Sequence, residues 1–135
     1  MKVIPIRSRV GGAWIEKAHG WWLHLEITDV RDAAWAMRVD GVRFAALTVC
    51  PDGTHLRLAW HWDCGGELHT VEARLAPGQL VPSIVDLWPG ADWAEREARD
   101  YYAVTFTGRQ STPPLMLREA DRPGILLRSE NGEQA

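Results

Sequence analysis

The segment HLRLAWHWDCGGELHTVEARL, residues 55–75, determines the fold, because two runs of alternating residues flank a Gly-Gly pair. Such pairs favour the tight turn of a β-hairpin, since glycine adopts positive φ angles without steric cost. A turn at Gly65-Gly66 pairs Cys64 with Glu67 and makes one face apolar, with Leu56, Leu58, Trp60 and Trp62 facing Leu75, Ala73, Val71 and His69. The other face carries His55, Arg57, Ala59, His61 and Asp63 and should face water or a neighbouring subunit.

The residues before the hairpin predict a strand, a helix and a second strand. Residues 21–27 alternate between apolar and polar side chains, which indicates a half-buried strand. Asp29 can cap a helix that runs to about Val39, where Gly41 ends it, and Arg43 to Cys50 form the next strand. These elements predict an α+β fold with three or four mainly antiparallel strands and helices packed on one face, a sandwich of the ferredoxin-like type.

The composition is that of one small domain. The chain has 135 residues, of which 46% are hydrophobic, enough for a single core. Its 15 Lys and Arg are interspersed among 18 Asp and Glu, so no basic stripe is available for nucleic acid. No apolar run approaches the roughly 18 residues of a membrane-spanning helix, and the first residues lack the apolar core of a signal peptide. We therefore expect a cytoplasmic protein that contacts a membrane only through partner subunits.

Tryptophan is unusually frequent, with eight in the chain. Their spread over several elements indicates core filling first and an interface second, because large amphipathic rings serve both purposes. We expect at least two tryptophans on a partner-facing surface, with Trp88 and Trp93 the best candidates because they flank a charged helix.

The residues that could carry metal or nucleophilic chemistry are poorly placed for it. Cys50 and Cys64 are the only cysteines, whereas iron-sulfur clusters and structural zinc sites need four ligands, so we expect reduced thiols and no metal. His55 and His61 share a strand face but lie about 20 Å apart at about 3.3 Å per residue, too far to bind one metal. His69 falls on the apolar face and is predicted to be a hydrogen-bonded core histidine. The sequence also lacks a Gly-x-Ser-x-Gly motif and a phosphate-binding glycine loop.

The most charged segment, PGADWAEREARDYYAVTFTG at residues 89–108, predicts a short helix. Asp92 is placed to cap it, with Glu95 as the capping-box partner three residues later. Glu95 and Arg99 are spaced as an i, i+4 pair, as are Arg96 and Asp100. A solvated, salt-bridged helix is the simplest interpretation of this pattern.

The same segment, together with the Pro-Ser pair upstream, resembles a family signature. It is similar to the 30 kDa subunit family of NADH-quinone oxidoreductase (respiratory complex I) and to the homologous subunit of energy-converting, membrane-bound nickel-iron hydrogenases and formate hydrogenlyases. The matching residues are Pro82, Ser83, Trp88, Ala91, Trp93, Glu95, Arg96, Glu97, Asp100, Tyr102, Phe106 and Gly108. The resemblance covers about residues 20–128.

The chain departs from this signature at two places. Ala103 stands where the family usually has glycine, and Arg109-Gln110 stands where it usually has His-Pro. The chain also stops soon after Arg128, without the long extension of many complex I members, which is closer to the hydrogenase branch. The sequence therefore leaves two alternatives for the parent complex, an NADH-quinone oxidoreductase and an energy-converting hydrogenase.

The resemblance implies a structural subunit without a cofactor or active site of its own. Its partners would be the hydrogenase-like large subunit and iron-sulfur subunits, which would hold the iron-sulfur clusters and, in a hydrogenase, the nickel-iron centre. The complex would sit peripherally on the inner face of the cell membrane. The residues expected at the partner interface are Trp88, Trp93, Glu95, Arg96, Glu97, Asp100, Tyr101, Tyr102 and Phe106.

Three segments follow from this interpretation. Residues 1–20 form an amino-terminal arm, residues 21–108 form the α+β domain ending in the charged helix, and residues 109–135 form an extended tail. Prolines hold residues 113–127 extended, and we expect this stretch to be weakly ordered until it docks on a partner.

Two other classes of function remain open from the residues alone. One is an enzyme that uses Glu95 or Asp100 as a base, although alternation with arginines favours ion pairing over a raised pKa. The other is a free-standing assembly or regulatory factor with the same fold.

Overall fold

The computed structural model describes residues 6–115 and 121–127. Its longer elements are helices α2 and α3 and strands β3, β4 and β5. In chain order the elements are α1 (Ile6–Arg9), β1 (Ile15–Lys17), β2 (Gly20–His24), α2 (Ile27–Ala36), β3 (Val42–Asp52), β4 (His55–Cys64), β5 (Glu67–Leu75), β6 (Val81–Pro82), α3 (Ala91–Tyr102), β7 (Phe106–Thr107) and a 3₁₀ turn (Ile125–Leu127).

The main sheet has five strands in the order β1-β2-β5-β4-β3. Strand β2 runs parallel to β5, while the other three pairings in this sheet are antiparallel. Strands β6 and β7 form a separate parallel pair. The predicted α+β class is confirmed, but the prediction of three or four strands is wrong. The ferredoxin-like arrangement is not confirmed. After β2, the chain passes through α2 to β3 at the far edge of the sheet, and β2 pairs in parallel with β5, so the sheet is mixed.

The β4–β5 hairpin has the register that the sequence predicts. Cys64 pairs with Glu67 across the Gly65-Gly66 turn, and both glycines have positive φ angles of 65° and 91°. On the core face, Trp62 lies opposite His69 and Trp60 opposite Val71. His69 is 2% exposed and its Nε2 lies 2.9 Å from Arg7 Nη1, which confirms the predicted hydrogen-bonded core histidine.

The core forms between this face and helix α2. Trp60 and Trp62 are 1% and 0% exposed. Trp88 packs edge-on against Trp62 with ring centroids 6.2 Å apart, and its indole N–H donates to the carbonyl of Ala34 at 2.9 Å. Trp88 is half-buried and joins the loop before α3 to α2, while its predicted partner-facing position stays a prediction. α2 contributes Ile27, Val30, Ala33 and Ala34 to the buried cluster.

Helix α2 begins and ends earlier than the sequence pattern indicates. Its N-cap is Glu26, which makes no side-chain capping hydrogen bond, and Asp29 lies inside the first turn. The last helical residue is Ala36, so the helix stops before Val39 and Gly41. The prediction of Asp29 as the cap is wrong, because burial of Ile27 against the core sets the start of the helix.

The predicted arm contributes to the domain. Ile6 and Val10 are 4% and 5% exposed and belong to the core cluster. β1 pairs with β2, with Ile15 opposite Trp22. Residues 6–20 therefore pack with the sheet and the core, and no boundary at residue 20 divides them from the domain.

The other face of the sheet has a histidine at its centre. His61 Nδ1 lies 2.7 Å from Thr70 Oγ1, and His61 Nε2 lies 3.0 Å from Thr48 Oγ1. The imidazole also meets the Trp22 ring edge-on at 5.9 Å. Burial lowers the pKa of His61, and burial likewise lowers that of His69 on the opposite face.

These shifts predict that the domain loses stability in mild acid. Below the ordinary histidine pKa of 6.5 the unfolded chain binds protons that the folded chain resists, so stability is fully present above pH 6.5 and falls as pH drops towards the lowered pKa. Urea unfolding across about pH 7 to 5 should show this loss, and His61→Gln should reduce its slope. An unaltered slope in His61→Gln would show that His61 is not responsible.

Candidate functional site

Helix α3 carries the charged signature and presents two very different sides. Glu95 and Asp100 are 1% and 0% exposed, whereas Trp93 is 67% exposed. The N-cap is Gly90 without a side-chain capping hydrogen bond, so the predicted capping box of Asp92 and Glu95 is wrong. Asp92 and Glu95 both bind Arg109, which lies outside the helix, instead of capping its first turn.

Glu95 is the centre of a buried network. Its Oε1 accepts hydrogen bonds from Ser83 Oγ at 2.6 Å and Arg109 Nη1 at 2.9 Å. Its Oε2 accepts the backbone N–H of Ile84 at 2.9 Å. Ser83 directly follows β6, and Arg109 follows β7. The Glu95 carboxylate therefore links α3 to the ends of both strands of the β6–β7 pair.

Arg109 supplies the positive charge of this network. Its guanidinium donates to both Glu95 and Asp92, and only 11% of its side chain is exposed. Burial opposes its charge, but the hydrogen bonds to Asp92 and Glu95 outweigh that effect and raise the pKa of Arg109. Neither Ser83 nor Arg109 was predicted as a site residue. The visible signal for Arg109 was its position, where the family signature usually has histidine.

The predicted i, i+4 pairs within α3 do not form. Arg99 donates to the carbonyls of Thr112 and Pro113, both at 2.8 Å, and lies 3.4 Å from Asp100. Arg96 donates to Pro113 at 3.2 Å. These arginines bind the segment after β7 rather than the next turn of their own helix.

Asp100 fixes the same carboxy-terminal segment. Its Oδ2 accepts the backbone N–H of Leu115 at 2.8 Å, and its carbonyl accepts that of Gly124 at 2.8 Å. Residues 109–115 and 121–127 of the predicted tail therefore lie against α3. Docking-coupled ordering of the tail stays a prediction, and residues 116–120 and 128–135 lie outside the described residues.

Glu95 and Asp100 are used in contacts within this chain, and their predicted place at a subunit boundary stays a prediction. Both carboxylates bind groups of this chain and are closed to solvent. Glu97 is exposed, and three aromatic side chains of the predicted interface are half-buried: Tyr101, Tyr102 and Phe106.

A cavity of about 550 Å³ lies between α3 and the carboxy-terminal segment. We call it the arginine cavity, because it is lined by Arg96, Arg99, Arg109 and Arg122 together with Glu95, Phe106, Gln110 and Thr112. Arg122 makes further contacts in the chain. The cavity therefore concentrates positive charge beside the signature helix.

Within residues 6–115 and 121–127, no cluster of three or more His, Cys, Asp or Glu could hold a metal ion. In the same part of the chain, no helix has the length and apolar character needed to cross a bilayer.

The fold and the site together define an α+β domain in which buried ion pairs hold a signature helix and a carboxy-terminal segment against a mixed sheet. Residues 23–130 match the family model described as "Respiratory-chain NADH dehydrogenase, 30 Kd subunit", and the chain belongs to this family. The membership predicted from the signature residues is confirmed.

Relatives and a solved structure agree with this family. The corresponding NADH-quinone oxidoreductase subunit from Cupriavidus pinatubonensis is 32% identical over 92 residues, covering 68% of this chain and 40% of the relative. Its counterpart from Azorhizobium caulinodans is 52% identical over 48 residues, covering 34% of this chain and 23% of the relative. The match thus spans two-fifths or less of these relatives. A chain of the membrane-bound sulfane sulfur reductase, an archaeal respiratory membrane complex, shares the fold: TM-score 0.76 at 16% identity, covering 95% of this chain and 81% of that one.

The departure at Ala103 has a measurable cost. Ala103 ends α3 with φ 57° and ψ 30°, a left-handed conformation that favours glycine, which is the residue usual in the family at this point. Ala103→Gly should therefore raise the free energy of unfolding by about 0.5 to 1 kcal/mol. Ala94→Gly inside the same helix is the matched control and should lower it by about 1 kcal/mol. Chemical denaturation checks both, and a loss of stability in Ala103→Gly would contradict the strain.

The Glu95–Arg109 pair predicts a large effect of removing its cation. Arg109→Gln should lower the free energy of unfolding by about 3 kcal/mol, because it leaves a buried carboxylate without a positive partner. Arg74→Gln, which breaks a half-exposed pair with Asp52, should cost less than about 1 kcal/mol. Similar losses in the two variants would show that the buried pair does not anchor α3.

Proposed function

We propose that this chain is a non-catalytic structural subunit of the hydrophilic arm of a complex I-like, membrane-associated oxidoreductase. The observation that carries the proposal is the family match across residues 23–130, which includes the charged helix. The parent complex would be an energy-converting nickel-iron hydrogenase or an NADH-quinone oxidoreductase. Within it, the chain would dock onto the hydrogenase-like large subunit and reach the cytoplasmic face of the membrane through its partners.

The outer row of α3 is the proposed docking surface. Trp93, Glu97 and Tyr101 follow one another at i, i+4 spacing and so form one row along the helix. Trp93 is 67% exposed on a helix whose inner charges are already paired within the chain. Exposed aromatic side chains of this kind are enriched at protein interfaces.

A shallow groove beside this row adds apolar surface. It has a volume of about 330 Å³ and runs between α3 and β3, with Leu47, Val49, Ala94 and Tyr101 among its lining residues. An aromatic anchor next to an apolar groove, bordered by the charge of Glu97, is a common composition for a subunit interface.

In this proposal, the groups that carry electrons belong to the partner subunits and not to this chain. Iron-sulfur clusters, and a nickel-iron centre in the hydrogenase case, would reside in the partner subunits. This chain would position the large subunit through a rigid sheet and a helix fixed by buried ion pairs.

Native purification tests the proposal. The tagged chain should recover a hydrogenase-like large subunit and iron-sulfur subunits from membranes, identified by mass spectrometry. The electron-input subunits in the same sample distinguish NADH dehydrogenase from hydrogenase. Recovery of the chain alone would instead support a free-standing assembly or regulatory factor.

A pair of variants tests the docking surface. Trp93→Ser should reduce the recovered large subunit at least about tenfold, because loss of an aromatic anchor commonly costs about 2 kcal/mol or more. Trp35→Ser removes a similarly exposed ring, 62% exposed on α2, and should leave recovery unchanged. Both variants should keep the wild-type circular dichroism spectrum. Equal recovery from Trp93→Ser and wild type would contradict docking through α3.

A further inference from the structure

The arginines of the arginine cavity differ in how well their charges are compensated. Arg109 binds two carboxylates, those of Asp92 and Glu95. Arg99 lies beside the Asp100 carboxylate and donates to two carbonyls. Both guanidiniums therefore have an anionic partner within this chain.

Arg96 has no comparable partner among the described residues. Its hydrogen bond there goes to a neutral acceptor, the Pro113 carbonyl at 3.2 Å. The nearest carboxylate oxygen, Asp92 Oδ2, lies 3.8 Å from Arg96 Nη1, beyond hydrogen-bonding distance, because Asp92 is bound to Arg109. Arg96 Nε is buried and makes no hydrogen bond to the described residues.

This incomplete pairing is costly for a guanidinium that is 19% exposed. A planar guanidinium matches carboxylate geometry, so an added carboxylate is the group that best satisfies it. The cavity volume of about 550 Å³ lies within the range of ligand sites and leaves room for an inserted side chain.

Arg96, which lines the cavity, neighbours the proposed docking surface on the same helix. Arg96 is three residues after Trp93, and residues at this spacing are neighbours on a helix surface. A partner that packs on Trp93 would therefore come close to Arg96. This proximity favours a carboxylate carried by the partner over one that is free in solution.

We infer that the arginine cavity receives an acidic side chain of the large subunit, whose carboxylate pairs with the Arg96 guanidinium. The inference rests on the proposed function and adds the chemistry of the partner contact. Trp93 would supply apolar contact, and Arg96 would select a partner with a carboxylate at the matching position.

The first test measures carboxylate binding by the full chain alone. Thermal unfolding is followed in sodium acetate and in sodium chloride at equal ionic strength and pH. Acetate should raise the midpoint above the chloride value in wild type and in Arg43→Gln, which removes an arginine on the outer sheet face that is 81% exposed. Arg96→Gln should abolish the difference while keeping a donor for Pro113. Equal midpoints in the two salts for wild type, or an acetate effect retained in Arg96→Gln, would overturn the inference.

The second test measures assembly. Arg96→Gln should reduce recovery of the large subunit about tenfold, Arg96→Lys should regain part of it, and Arg43→Gln should match wild type. If Trp93→Ser releases the partner but Arg96→Gln retains it, the proposed function stands and this inference fails. If acetate binds through Arg96 while assembly is unaffected, the cavity serves a soluble anion and the partner assignment is overturned.

Discussion

The buried carboxylate of Glu95 is the interaction on which the arrangement of the signature helix depends. A carboxylate at 1% exposure is tolerated only when hydrogen bonds and a positive charge compensate it. Ser83, the N–H of Ile84 and Arg109 provide this compensation from the residues that follow strands β6 and β7. The requirement is mutual, because Arg109 is also largely buried. Helix α3, the β6–β7 pair and the start of the carboxy-terminal segment therefore take up their positions together.

The two sides of α3 separate two tasks that share one short motif. On the inner side, Glu95 and Asp100 use their charges for contacts within the chain, so they set where the helix lies. On the outer side, Trp93 and Glu97 are exposed, and they are the residues that we propose meet a partner. A motif rich in charged residues therefore need not form a charged surface. In this chain two of its acidic side chains are buried and fix the position of the helix, and an aromatic side chain is exposed.

Local patterns predicted the hairpin and the existence of α3, whereas long-range pairings were beyond them. Alternation and the Gly65-Gly66 pair determine the β4–β5 register, because a shift by one residue would turn every side chain to the wrong face. The parallel β2–β5 pairing has no local signature, so the strand count and the mixed sheet were missed. Sequence spacing likewise suggested pairs within α3, since it shows which residues are neighbours on a helix but not which strand will face them. The burial of Glu95 could not be predicted either, because it depends on Ser83 and Arg109, which lie outside the helix.

The β2–β5 pairing also sets an order of events during synthesis. Trp21 and His69, which lie side by side in the sheet, are about 48 residues apart in the chain. The β3–β4–β5 meander needs only short turns and can form by itself, whereas β2 can pair only with the short strand β1 until β5 has been made. A nascent chain therefore carries the half-apolar strand around Leu23 without its β5 neighbour until the meander has been made. This interval is where the protein is most exposed to misassociation, because the half-apolar strand still lacks its neighbour in the sheet.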